Sequence, residues 1–470
     1  MNTNKVPVSK LNISKDVRIE LFFILFGSVL LCFIGFYNKY PLVYSDTGTY
    51  LYSGFCGINP TDRPIFYGLF ARHISLAVSP WLVIWVQGFL VSFLLFITVK
   101  MIFIGSNHLL IFLFSLVILV CFTGVSHNVS ILIPDIFTSI SLLTFVNLLI
   151  NNNVKLFAKI FLSIVLILSL VVHLSNILII TTLCFLAALV LYLKKGKGSG
   201  LKIRIKRNLI YCSILIAISW FLIPSANYVY SNQFTISRGS QVFIMNHLSE
   251  TGVLEEYLKR ECKSNNFKIC QYKDSLVWDF LWDSKSPLYK TGGWEANKQE
   301  YDLIIKDILS KPYYLKSVIP ELLFYSITQY FNFDIEHPLV YGPNSAPYSQ
   351  IHWHYSKEIK NYCSSRQNTG TINFDLTNSF ETILVLFSLV FIFYFIARPN
   401  VFRSFPFELR VIVLTVISGT VINAIVTSNL SAINSRYQNR IIWLVPLIFI
   451  LVSGHLVRNR KNSRAIQQLF

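Results

Sequence analysis

Trp81-Leu82-Val83-Ile84-Trp85-Val86-Gln87-Gly88-Phe89-Leu90-Val91-Ser92-Phe93-Leu94-Leu95-Phe96-Ile97-Thr98-Val99 runs for nineteen residues without a charge. Its apolar positions are continuous rather than alternating, which reads as a helix buried on every side and not as a strand of a membrane barrel. At 1.5 Å per residue, about 20 such residues cross the hydrocarbon of a bilayer. One run of this kind would suit the centre of a large soluble protein. Nine more decide against that: Ile19–Tyr37, Leu109–Gly124, Ile131–Ile150, Leu156–Val172, Ile177–Leu193, Leu209–Ile223, Phe380–Ile396, Val411–Val426 and Ile441–Val457. Apolar residues form 53% of the chain and charged residues 14%. The expected fold class is an all-α polytopic membrane protein with about ten transmembrane helices. No small-residue cleavage site follows the first run, so it reads as a retained anchor rather than a signal peptide.

Charge orients the chain. With a cytoplasmic N-terminus, the loops on that side carry the whole net charge of +18, while basic and acidic residues cancel on the other. This is the positive-inside pattern. The basic balance therefore reports topology and lipid headgroups rather than nucleic acid. The basic loop Lys194–Arg207 reads as an orientation signal.

Three regions follow: a transmembrane module 1–223 with a first external loop at 38–80, an external domain 224–376, and a transmembrane module 377–470. The external domain, inserted between spans seven and eight, has the composition of a soluble unit. Helical spacing in Ser249–Arg260 and Glu300–Leu309, with turns at Gly252, Gly292-Gly293 and Pro343–Pro347, predicts a mostly helical, loop-rich fold. Leu315–Phe331 is apolar but contains Pro320, Glu321 and Gln329, and a crossing there would invert the loops that hold Arg398, Arg403 and Arg410. It reads as an amphipathic helix on the membrane surface.

Cys32, Cys121, Cys184 and Cys212 fall in spans and read as packing residues. Cys56, Cys262, Cys270 and Cys363 are external, an even number in an oxidising compartment. Cys262 and Cys270 are close enough for a local disulfide, and Cys56 with Cys363 is a second candidate pair. Zinc-type spacing, a Walker motif and a Rossmann glycine pattern are all absent from the sequence, which argues against an ATP-driven pump.

Four polar sites stand at the external mouths of the spans. Asp46, in Tyr44-Ser45-Asp46-Thr47-Gly48, sits among Tyr40, Tyr44, Tyr50, Tyr52 and Tyr67. A turn residue would account for it, as would a base that takes a proton from an acceptor hydroxyl. Asp135 follows Pro134 at the mouth of span four, either as a helix-start residue or as a functional acid beside an apolar run. Arg436 and Arg440, with Tyr437 between them, lie four apart on one helical face. Being external, they do not serve the topology; they either snorkel or grip a phosphate. Arg63-Pro64 precedes Ile65–Ala77, whose Phe66, Phe70, His73, Ile74 and Ala77 have the spacing of a surface helix. His173 ends span five at the same face, and His352-Trp353-His354 would put two imidazoles on one face of a strand.

This order of features resembles the GT-C superfamily of integral-membrane glycosyltransferases, closest to the aminoarabinose-transferase and protein O-mannosyltransferase types. The likeness covers residues 19–193 and, more loosely, 430–450. Two features depart from it: the soluble domain lies in mid-chain rather than at the C-terminus, and Thr47 follows Asp46 where an acidic pair is common. The resemblance implies a bacterial inner-membrane enzyme with cytoplasmic termini and a periplasmic active site. It would move a sugar from a polyprenyl-phosphate donor to lipopolysaccharide, another glycan or a protein, by inverting displacement. It further implies that Asp46 is the general base or an orienting carboxylate. Asp135 would assist or hold a divalent cation, and Arg436, Arg440 and Arg63 would hold the donor phosphate, with Tyr437 and His173 beside them. The alternatives are an O-antigen polymerase or ligase working through Arg366, Arg238 and external histidines, and a polytopic transporter or flippase.

Overall fold

The computed structural model describes residues 15–103, 108–152, 154–193 and 200–467. The N-terminal fourteen residues and Lys194 to Ser199, the first half of the basic loop, lie outside them. The described residues are built from helices; their only β pairing is a single parallel bridge between Leu42 and Ile131. Each of the ten apolar runs contains a helix, although in Ile131–Ile150 it begins only at Ile136. Among the described residues six helices are long and apolar enough to cross a membrane: Trp81–Ile102, Leu174–Leu193, Gly200–Ser231, Asp375–Ile396, Phe407–Leu430 and Ser435–Asn459. The protein is a helical membrane protein. Three apolar helices are shorter, His108–Phe122, Ile136–Ile150 and Leu156–Val171. The first run divides into Lys15–Leu31 and Phe33–Asn38, with a break at Cys32.

Ile136–Ile150 is buried along its whole length, so it forms the centre of the bundle. Around it pack Trp81–Ile102, Leu156–Val171, Leu174–Leu193, Gly200–Ser231 and Phe407–Leu430. Continuous apolar composition is what such a central helix needs, since each of its faces meets another helix.

The polar mid-chain segment divides into two parts. Residues from Val242 to Val318 build their own core around Met245, Leu254, Tyr257, Phe280, Tyr301 and Ile304, and the Cys262–Cys270 disulfide closes one of its loops. Ile335, Tyr341, Ile351, Tyr355, Tyr362 and Phe374 instead pack into the core of the membrane helices. The second part is thus a cap seated on the helix ends. The boundary also moves: Gly200–Ser231 continues through Pro224, because one proline removes a single helical hydrogen bond and its neighbours hold the turn.

Pro312–Phe331 is a continuous helix that is not among the membrane-crossing candidates. One side packs on Phe407–Leu430, where Asn429 donates to the Ser326 hydroxyl at 2.9 Å. The other exposes Ile319, Leu323, Phe324, Ile327 and Phe331.

Three expectations are corrected. Cys56 and Cys363 are free thiols, each exposed at its own position. Cys121 is exposed rather than packed. His352 and His354 lie on the helix Ala346–His354, so a two-residue spacing turns them apart; the His354 ring stacks on Phe55 at 3.8 Å.

Candidate functional site

The first external loop is fixed before it reaches Asp46. Leu42 donates to Ser130 and accepts from Leu132, at 2.9 and 3.0 Å, and Gln367 brackets Val43 by donating to its carbonyl and accepting from its N–H. The chain then turns into the helix Ser45–Cys56, where the Tyr44 N–H donates to the Thr47 hydroxyl at 2.9 Å. Asp46 stands in the first helical turn, where the helix dipole favours a carboxylate. The next helix, Phe66–Ser75, crosses this one where two glycines touch. A Cβ on Gly54 would lie 2.0 Å from the Gly68 carbonyl oxygen. That crossing folds the intervening loop back and brings Arg63 to Asp46.

Asp46 lies between two guanidinium groups. Arg63 reaches its Oδ1 and Arg436 its Oδ2, each at 3.0 Å. Burial alone would raise the pKa of Asp46; Arg436 and Arg63 more than reverse this and hold it at about 2. Arg63 also holds Asp62 at 2.5 Å and lies over the Tyr50 ring.

Asp135 directly precedes the helix Ile136–Ile150 and is 2% exposed. Arg436 Nε lies 3.1 Å from one of its oxygens and Arg440 Nη1 lies 3.5 Å from the other. Neither contact is a hydrogen bond. Arg440 is fully buried and donates from Nη2 to Ser175 and to Asn423 at 2.9 and 3.0 Å. Asn434 caps the helix Ser435–Ile442 by accepting from the Arg436 N–H, which sets the register of both arginines. Arg436 lies over the rings of Tyr44 and Tyr437.

The seven residues that the resemblance assigns to the site meet here. Tyr437 also contacts Arg440. His173 occupies the turn before Leu174–Leu193 and pairs with the Ser175 hydroxyl at 2.8 Å, one step from Arg440. Burial and the Arg440 charge hold its imidazole well below the usual value, so it is neutral at pH 7. Three arginines and three aspartates share the cluster. Arg63 Nη1, Arg436 Nε and Arg440 Nε and Nη1 donate no hydrogen bond, so the arginines have more donor capacity than the carboxylates use. The same donor set does not fit a divalent cation, because the oxygens of Asp46 and Asp135 already face guanidinium groups that would repel one. Among the described residues no group of three or more His, Cys, Asp or Glu could hold a metal ion.

Four further residues were not singled out from the sequence. Glu336 accepts from the Tyr44 phenol at 3.0 Å and from Ser435 at 3.3 Å. Burial pushes the Tyr44 phenol up, so it stays protonated and donates. Asp334 and His127 line, with Glu336, a narrow, partly open cleft that ends against Tyr44 and Arg436. Glu381 is buried behind it, accepting from the Gly124 N–H at 2.9 Å and from Asn439 at 3.0 Å. A smaller cleft opens between Arg63 and Arg238. No family model matches the chain, and no curated protein or solved structure matches it either.

Proposed function

We propose that the chain is a glycosyltransferase that takes a sugar from a polyprenyl-phosphate donor and passes it to an acceptor hydroxyl on the external side of a bacterial inner membrane. The observation that carries this reading is the meeting of Arg63, Arg436 and Arg440 around Asp46 and Asp135, at the ends of apolar helices. A lipid-linked donor would approach within the membrane and present its phosphate at this depth. Direct displacement at the anomeric carbon inverts configuration and leaves charge growing on the phosphate. Preplaced guanidinium groups stabilise that charge, and the unused arginine N–H groups supply donors for it. Asp46 serves here as the orienting carboxylate that aims Arg63 and Arg436.

On this reading all ten apolar helices belong to the membrane, both termini are cytoplasmic, and the segment 224–376 faces the periplasm. The test is mass profiling of glycans and glycolipids in a strain lacking the protein. Complementation by wild type restores a hexose- or pentose-sized mass, while Arg436→Ala lowers it at least about 100-fold. Equal restoration by wild type and Arg436→Ala would refute the phosphate grip.

A further inference from the structure

We propose that the cleft against Tyr44 and Arg436 seats the acceptor and that Glu336 receives the proton of the attacking hydroxyl. This rests on the transfer reading and assigns it an acceptor class. Asp46 and Asp135 have guanidinium groups on their oxygens, Asp62 is held by Arg63, and a proton acceptor needs a free lone pair facing its substrate. Glu336 differs. Its described partners are two hydroxyls, and no cation among the described residues lies within ion-pair distance of it. It is half-buried on the cleft wall. Its loop is rigid, since Asn378 brackets Ile335 by accepting from its N–H and donating to its carbonyl, at 2.8 and 3.0 Å. The Tyr44 ring stands between Glu336 and Arg436, with its hydroxyl on the carboxylate and its face toward the guanidinium. Proton acceptor and phosphate grip are thus neighbours separated by one aromatic ring.

The remaining lining sets the ligand class. His127 presents an Nδ1 shielded from solvent and without a hydrogen-bond partner, and burial holds the ring down to about 4, so it is neutral. Asn128 and Asn439 are already hydrogen-bonded to each other and to the backbone around them. The cleft carries the Asp334 and Glu336 carboxylates and the His127 and His337 imidazoles and ends at Arg436, a hydrogen-bonding wall that suits a hydroxyl-rich sugar unit. In the step, the acceptor oxygen forms a bond to the anomeric carbon. The bond from that carbon to the phosphate oxygen breaks, and its electron pair leaves with the lipid phosphate. The hydroxyl proton passes to Glu336. No further reactant is needed.

The experiment complements the deletion strain with wild type, Glu336→Gln, Glu336→Asp and Asp46→Asn, each quantified in purified membranes. Binding of polyprenyl phosphate to the detergent-solubilised full chain is measured in parallel. The expected result is at least a 100-fold loss of product for Glu336→Gln, partial recovery for Glu336→Asp, and unchanged polyprenyl-phosphate affinity for both. Full product from Glu336→Gln, with loss confined to Asp46→Asn, overturns the assignment. Loss of polyprenyl-phosphate binding in Glu336→Gln overturns it as well. Glycans unaltered by the deletion itself would instead sink the transfer reading beneath it.

Discussion

Asp46 carries a guanidinium on each carboxylate oxygen, and its pKa falls from 3.8 to about 2. A depressed folded-state pKa adds stability above the unfolded value and loses it as pH falls through the folded one. The contribution is on the order of 2 kcal/mol; it is complete above about pH 4 and vanishes toward pH 2. Thermal unfolding of the detergent-solubilised chain between pH 2 and 6 should therefore fall less steeply for Asp46→Asn than for wild type. Glu381 makes a second case. Replacement by Ala strands the Gly124 N–H and an Asn439 N–H, and should cost roughly 1–3 kcal/mol, whereas Glu381→Gln retains an acceptor for one of them. Calorimetry of the two variants separates these outcomes. Asp46, Asp135, Arg436 and Arg440 were legible in the sequence because each is a charge where hydropathy leaves no ordinary place for one. Glu381 was not, since averaging over an apolar window absorbs a single acid. Its partners stand 257 and 58 residues away. Glu336 lies in an irregular loop with no periodicity to mark it.

At the scale of elements, the crossing of Ser45–Cys56 with Phe66–Ser75 sets the distance between Arg63 and Asp46. Gly54→Ala and Gly68→Ala would each put a methyl group into backbone, with nearest atoms at 2.0 and 2.4 Å. Each should cost about 3 kcal/mol or more and abolish product. Gly454→Ala meets side chains alone, Phe103 at 3.1 Å and Ile111 at 3.9 Å, and should be mild. Melting temperature and product mass for the three variants provide the check. Ten apolar runs predicted ten helical regions because a continuous apolar run has few other stable forms in a bilayer. The break at Cys32 and the continuation through Pro224 were hidden, because both depend on neighbouring helices rather than on local propensity. The three shorter apolar helices have the same origin: their ends are set by the packed turns around Val125–Ser130 and His173.

Across the whole molecule, the pattern of charge implies an orientation and the pattern of thiols tests it. If the first loop and the mid-chain segment face one oxidising side, an impermeant maleimide applied to that side should label Cys56 and Cys363 without reduction. Cys262 and Cys270 should react only after reduction. Peptide mapping reads both results, and protection of Cys56 would reverse the topology. The division of residues 224–376 into a self-contained core and a cap was not readable, because composition reports polarity and not which core a buried tyrosine joins. The cluster itself spans the chain, with Arg436 390 residues beyond the Asp46 it holds. At a synthesis rate of about 5–20 residues per second, Asp135 waits many seconds after entering the membrane before either of its arginines exists. Throughout that interval Asp135 stands at the start of its helix without the two arginines that face it in the folded chain. A chain that ends before Arg436 therefore lacks both guanidinium partners of Asp135, and the bundle closes electrostatically only when its final helix is in place.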